Sequence, residues 1–328
     1  MSAVQSAPKA NRMHAVPIIR HYQPPAGLQE SIVSMIMRQA LRLTLKPFLG
    51  PPWPFAVQRA SLALGSALMP QDGRASVSHE RIGPFPAERI RPKAVAKPRH
   101  AILYLHGGAF VAGSPRTHRS ITRRLAAITG AEVLAPHYRL APEMPFPTQI
   151  EDCVLAYKQL LADGFAPERI AIAGDSAGGN LTLMTSMALK LAGLPQPAVL
   201  VMMSPVVSNQ PFPNGTHEER QKRDPMIRLA WTQDIERALK VDHSHPLADP
   251  MAQDYSELPP SLIQVGDDEV LYDSSIWLVH AATAAGRTCE LEIHLKRWHV
   301  FQAHVGLMPS SDRAVERQAE FMKRHWAV

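Results

Sequence analysis

From residue 101 onward the chain alternates short apolar runs with stretches of helical periodicity, and this rhythm constrains the fold more than any other feature. The apolar runs cover 101–105, 132–138, 169–173, 198–203, 262–266 and 291–295. Between and after them, helical spacing spans 117–129, 148–163, 180–192, 274–285 and 311–326. Strands that are apolar along their whole length have no solvent face. They belong in a parallel sheet covered by helices on both sides. The class is therefore α/β, with a mostly parallel central sheet.

Two regions depart from the rhythm. Residues 76–82 and 87–93 alternate and flank Gly83-Pro84, which predicts an antiparallel edge pair. Residues 206–249 separate two strands by far more than a usual connection, and helical spacing recurs within them at 229–239. Ahead of the first strand, 27–46 and 55–69 read as two helices, the first ended by Pro47 and the Gly50-Pro51-Pro52 cluster. The expected organisation is an N-terminal arm and cap helices over 1–75, with the arm at 1–25 mobile. The core follows over 76–205, a cap insertion over 206–249, and the rest of the core over 250–328.

Composition narrows the function. With 328 residues, 45% of them hydrophobic and 20% charged, the chain can bury a large core without disulfides. Its two cysteines, Cys153 and Cys289, lie in apolar segments and read as buried free thiols. The net charge of +6 is dispersed, and the densest basic run, 220–223, is flanked by Glu218, Glu219 and Asp224. No basic stripe with interleaved aromatics is present, so nucleic-acid binding is not expected. No run is long enough to span a bilayer and residues 1–20 lack the layout of a secretory signal, so a cytoplasmic location is expected.

The chemistry concentrates in Gly174-Asp175-Ser176-Ala177-Gly178, which sits between a strand and a helix. That context leaves a serine exposed on a sharp turn at a helix N-terminus, where partial positive charge favours a developing anion. Ser176 is the expected nucleophile. A serine attack creates an oxyanion, and backbone N–H groups must meet it. His106-Gly107-Gly108-Ala109-Phe110, directly after the strand at 101–105, supplies such a turn. Gly107 and Gly108 are the expected donors, with the N–H of Ala177. His106 precedes the nucleophile, so it is expected to shape this loop and not to act as base. Among the histidines further on, His280 falls in a helix and His294 in a strand. His299 stands in a loop after the last strand and is the expected base, with His304 a surface or helix-start alternative. The acid lies among Asp267, Asp268 and Glu269 at a strand's C-terminal end, and local chemistry does not rank the three.

The H-G-G-A-F loop, the Tyr138-Arg139-Leu140-Ala141-Pro142-Glu143 stretch, the G-D-S-A-G-G turn and the segments around the acid and His299 occur in order. Together they resemble the bacterial hormone-sensitive-lipase-like esterases. The resemblance implies an α/β-hydrolase fold with a helical cap, hydrolysis of short acyl esters, and often a homodimer. It also implies an acid: the family's D-P-L-x-D pattern, laid with its leucine on Leu271 and its last aspartate on Asp273, puts the catalytic carboxylate at Glu269, with Asp268 the alternative. Two departures stand out. Glutamate replaces the commoner aspartate, and Ala109 replaces a third glycine, adding a methyl group near the acyl site.

The expected protein is thus a serine carboxylesterase for short- to medium-chain acyl esters, using Ser176, His299 and Glu269 through an acyl-enzyme. A lactonase or amidase with the same triad is the alternative. A small-molecule receptor on this fold would lack a working histidine. Neither metal nor organic cofactor is expected, because no ligand cluster has metal-site spacing.

Overall fold

A computed structural model describes residues 16–208 and 212–327. In chain order its elements begin with β1 (Ile18–Tyr22), α1 (Leu28–Ala40) and α2 (Phe55–Ala67). The antiparallel pair is β2 (Ala75–Ile82) and β3 (Phe85–Pro92). There follow β4 (Ala101–Leu105), α3 (Arg119–Thr129), β5 (Glu132–Pro136), α4 (Thr148–Ala162), β6 (Ile170–Asp175), α5 (Ala177–Leu191) and β7 (Val199–Met203). After α6 (His217–Arg223) and α7 (Leu229–Leu239), the chain returns through β8 (Ser261–Gly266), α8 (Tyr272–Ala284), β9 (Cys289–His294) and α9 (Pro309–His325).

Among the described residues the sheet has nine strands in the order β1-β9-β8-β7-β6-β4-β5-β3-β2. Pairing is parallel from β1 to β5 and antiparallel at β5–β3 and β3–β2. The uniform apolarity of β4 has the expected cause. On β4, Leu103 and Leu105 face the layer holding Tyr157, Leu181 and Leu278, while Ile102 and Tyr104 face the layer holding Leu125, Val315 and Phe321. Both faces are covered, so alternate side chains enter different cores and every position is apolar. Cys153 and Cys289 are free and buried, as expected.

Residues 1–15 of the expected arm lie outside the described residues. The rest of it is not an arm: β1 pairs in parallel with β9, from Ile18 opposite Glu290 to Tyr22 opposite His294. The Tyr22 ring stacks on His294 at 5.4 Å, and the Arg317 guanidinium lies over the ring at 3.9 Å. Five residues of mixed polarity gave no strand signal because an edge strand gains its stability from its neighbour's open hydrogen bonds.

The N-terminal helices and the 217–239 segment pack on one another. Arg228 donates to the carbonyl oxygens of Leu49 and Pro51, Lys46 donates to Gln221 and Asp224 carbonyls, and Trp231 lies against Gly50. Arg59 of α2 ties this layer to the sheet, donating to Val111 O (2.7 Å) and Ala141 O (3.0 Å) and forking onto Glu143. The basic run at 220–223 is spent locally, with Arg220 on the Asp267 carbonyl and Arg223 between Glu219 and Asp268.

Candidate active site

Ser176 sits between β6 and α5 with φ 55° and ψ −118°. A non-glycine residue in that region costs on the order of 1–3 kcal/mol, and only the surrounding packing sustains it. Two glycines make the turn feasible. A Cβ on Gly178 would stand 1.9 Å from Leu105 O, and one on Gly174 would stand 2.3 Å from Gly178 O. The turn therefore presses directly on the end of β4. The Ser176 hydroxyl caps no amide of α5, so the first N–H groups of that helix are left to whatever binds above the serine.

Glu269 and His299 are brought together. Glu269 is wholly buried, and its Oε1 lies 3.3 Å from His299 Nδ1. Its other oxygen accepts from Ser204 Oγ at 2.8 Å and from Gly266 N at 2.9 Å. Burial pulls the His299 imidazolium down, but the hydrogen bond and charge of Glu269, backed by Asp224 and Asp175, outweigh it. The pKa of His299 stands above the usual histidine value. Asp268 faces elsewhere, onto Arg38 (2.9 Å) and Arg223 (3.1 Å). Asp267 accepts from Lys296 N at 2.5 Å. Of three adjacent carboxylates, only Glu269 bonds the histidine.

The other histidines are occupied or remote. His280 is exposed on α8. His294 is buried beside Glu292. His304, expected at the surface or at a helix start, is instead buried at the end of a short helical turn (Phe301–His304) against Trp298, whose Nε1 donates to it at 3.3 Å; burial pushes its pKa down to about 4. His106 does shape the glycine loop: its Nδ1 lies 2.8 Å from Gly107 O, it stacks on Tyr138 at 4.2 Å, and Tyr138 donates to its carbonyl.

The expectation for Gly107 needs correcting. Its N–H donates to Asp175 Oδ1 at 3.2 Å, because Asp175, the residue before Ser176, reaches across to it. That amide already has an acceptor. Gly108 (φ 117°), Ala109 (φ 56°) and Phe110 (φ 62°) then run through left-handed conformations. The N–H groups of Gly108 and Ala109 have no acceptor among the described residues. Asp175 also accepts from Tyr104 at 2.7 Å and pairs with His118 at 3.2 Å. Burial alone would raise Asp175, but His118 and these hydrogen bonds hold it below the usual carboxylate range. His118 is raised in turn, its pairing with Asp175 outweighing burial.

Sequence reasoning missed Ser204, Asp224 and the role of Asp175. Ser204 follows β7 with φ 48° and supports Glu269; its place at a strand's C-terminal end was a usable signal. Asp224 is fully buried, and burial raises its pKa against the charge of His299 and the amides that bond it. Lying in a charged run, it gave no signal at all.

An open cavity of ≈ 570 Å³ is lined by neighbours of Ser176 in the chain and across the turn, though not by Ser176, His299 or Glu269 themselves. Phe110, Asn180, Leu181, Met184, Val206 and Leu239 are among the residues that line it. Asn180 is one helical turn past Ser176, and Val206 N donates to Ser176 O at 3.4 Å. Among the described residues no cluster of metal-ligating side chains occurs, and no helix is long and apolar enough to cross a membrane.

Known proteins resemble this chain in sequence and in fold. A family model described as alpha/beta hydrolase fold matches residues 102–303. An acetyl-hydrolase of Streptomyces hygroscopicus is 38% identical over 274 residues, covering 83% of this chain and 89% of that protein. The crystal structure of an esterase from the bacterial hormone-sensitive lipase family superposes with a TM-score of 0.84 at 33% identity, covering 92% of this chain and all of the other. An esterase/lipase from an uncultured bacterium gives a TM-score of 0.83 at 36% identity, with the same coverage. The chain belongs to the α/β-hydrolase fold family, among the bacterial hormone-sensitive-lipase-like esterases. Its activity is the hydrolysis of carboxylic esters.

Proposed function

We propose that the chain is a serine carboxylesterase for short- to medium-chain acyl esters, with Ser176 as nucleophile, His299 as base and Glu269 as the acid. The observation that carries this reading is the buried Glu269–His299 hydrogen bond at the same sheet edge as the strained Ser176. His299 Nδ1–H donates to Glu269, which leaves the Nε2 lone pair to take the Ser176 proton as Oγ attacks the ester carbonyl. The C–O double bond opens, and the oxyanion is met by the N–H groups of Gly108 and Ala177, with that of Ala109 beside them. The tetrahedral intermediate collapses, the alcohol leaves with the proton from His299, and water repeats the sequence on the acyl-enzyme.

The cavity supports a short acyl chain, since Phe110, Leu181 and Met184 offer it an apolar wall. The acetyl-hydrolase of Streptomyces hygroscopicus points the same way. The N-terminal helices and the 217–239 segment act together as a cap over the ester. We extend the proposal to a homodimer, which light scattering on the purified chain tests. The decisive experiment is Ser176→Ala assayed against nitrophenyl esters of increasing acyl length. Turnover should fall by several orders of magnitude, and the unsubstituted enzyme should prefer short acyl groups. Retained turnover in the variant ends the proposal; faster turnover of a lactone or an amide replaces ester with that substrate.

A further inference from the structure

The cap touches the catalytic loops at several points. On the acid loop, Asp268 stands just before Glu269 and is gripped by Arg38 of α1 and by Arg223 at the end of α6. Val270 stands just after Glu269, and its N–H donates to Asp224 Oδ2 at 3.1 Å. Asp224 uses its other oxygen on Met226 N (2.7 Å) and Ile227 N (3.0 Å), which fixes it within the 224–227 turn. The acid is therefore held on both flanks by residues that belong to the cap.

The base loop is held in the same way. Arg297, two residues before His299, donates to Glu30 Oε1 at 2.6 Å and to Ser34 Oγ at 2.8 Å, both on α1. Glu30 and Arg297 are both buried, and Glu30 also accepts from the N–H and hydroxyl of Ser310 at the start of α9. Arg38 donates to Lys296 O at 3.0 Å and lies 5.1 Å from the centre of the Trp298 ring. One helix thus contacts the residues before His299 and the residue before Glu269.

We propose that the cap positions the acid–base pair: Asp224 and Arg38 are positioning residues that keep Glu269 and His299 in register, and the pair is fully formed only while the cap is docked. This inference rests on the triad reading above. Its physical basis is that two loops on neighbouring strands must hold a contact of 3.3 Å, and loops drift unless charged partners fix them. Three carboxylates act on His299: Glu269 of the acid loop, Asp224 of the cap and Asp175 at the end of β6. Removing the Asp224 charge should lower the pKa of His299, a change that a purely structural contact does not cause.

The test uses the full chain with nitrophenyl acetate as probe. Asp224→Asn should lower kcat by roughly 10- to 100-fold, the scale seen when a supporting partner that orients a functional group is lost. KM should change little, and the acid limb of the pH profile should move to lower pH. Arg38→Ala should also lower kcat with little change in KM, and Arg38→Lys, which keeps an ion pair with Asp268, should restore part of the loss. If Asp224→Asn does not fold, the two Arg38 variants decide alone. Folded variants with wild-type kcat and an unmoved acid limb overturn the inference while Ser176→Ala remains inactive. An active Ser176→Ala instead removes the triad, and the inference with it.

Discussion

Glu269→Gln separates the acid from its two neighbours, and its effect can be worked out atom by atom. Glu269 Oε2 receives two donors, Ser204 Oγ and Gly266 N, and the second is backbone and cannot turn away. A glutamine in this wholly buried position must therefore keep its carbonyl oxygen there and aim its NH₂ at His299 Nδ1. The imidazole then has to accept at Nδ1 and carry its proton on Nε2, so it presents N–H to Ser176 in place of a lone pair. The imidazolium formed during attack also loses its counter-charge. A comparable wrong-tautomer amide in a serine protease triad costs about 10⁴ in kcat, which is about 5 kcal/mol of barrier. The fold should persist, because both donors to Oε2 stay satisfied. Asp268→Asn breaks only the ion pairs with Arg38 and Arg223, and should cost at most about 100-fold. The assay is steady-state hydrolysis of nitrophenyl acetate at saturation, with thermal melts of both variants. A Glu269→Gln enzyme within tenfold of wild type, or a larger loss in Asp268→Asn, would refute the reasoning.

Three further outcomes are expected. His299 must be neutral to accept the serine proton, and its pKa is raised, so kcat/KM should fall as pH drops through a midpoint above 6.5; a midpoint below that value contradicts the assigned environment. Gly178→Ala would push a methyl group to 1.9 Å from Leu105 O, a backbone atom that cannot yield cheaply, so the variant should lose ~3 kcal/mol or more of stability together with its activity. A wild-type melting temperature would show that the turn is looser than described. Deleting residues 1–23 removes β1 and bares the edge of β9, and the truncated chain should melt earlier and aggregate more readily; light scattering during the melt checks this.

Much of the fold was legible because its information is local. Strands buried on both faces are mostly apolar, and that pattern placed β4 to β9 within a few residues, although β8 also buries Gln264 and β9 buries Glu290, Glu292 and His294. Ser176 was legible for a related reason. The turn is so tight that Gly174 and Gly178 must lie beside it, and those glycines stand in the sequence. His299 followed from chain order. Glu269 was reached only through a family pattern, since three consecutive carboxylates look alike until the loop folds and turns each a different way.

The layered α/β class could be read from the sequence, and so could the two residues proposed here as nucleophile and base, Ser176 and His299. Tertiary structure alone decided what depends on encounters between distant segments. Tyr22 found β9 some 270 residues later in the chain, as the register of Tyr22 on His294 shows. Asp175 took the amide of Gly107 and so removed it from the expected pair of oxyanion donors. Asp224, an unremarkable member of a charged run, became a fully buried carboxylate bonded to the residue after Glu269. Periodicity and motif spacing record what each residue needs from its immediate neighbours. A buried charge is defined by partners far away in the chain, and those are set only when the segments pack.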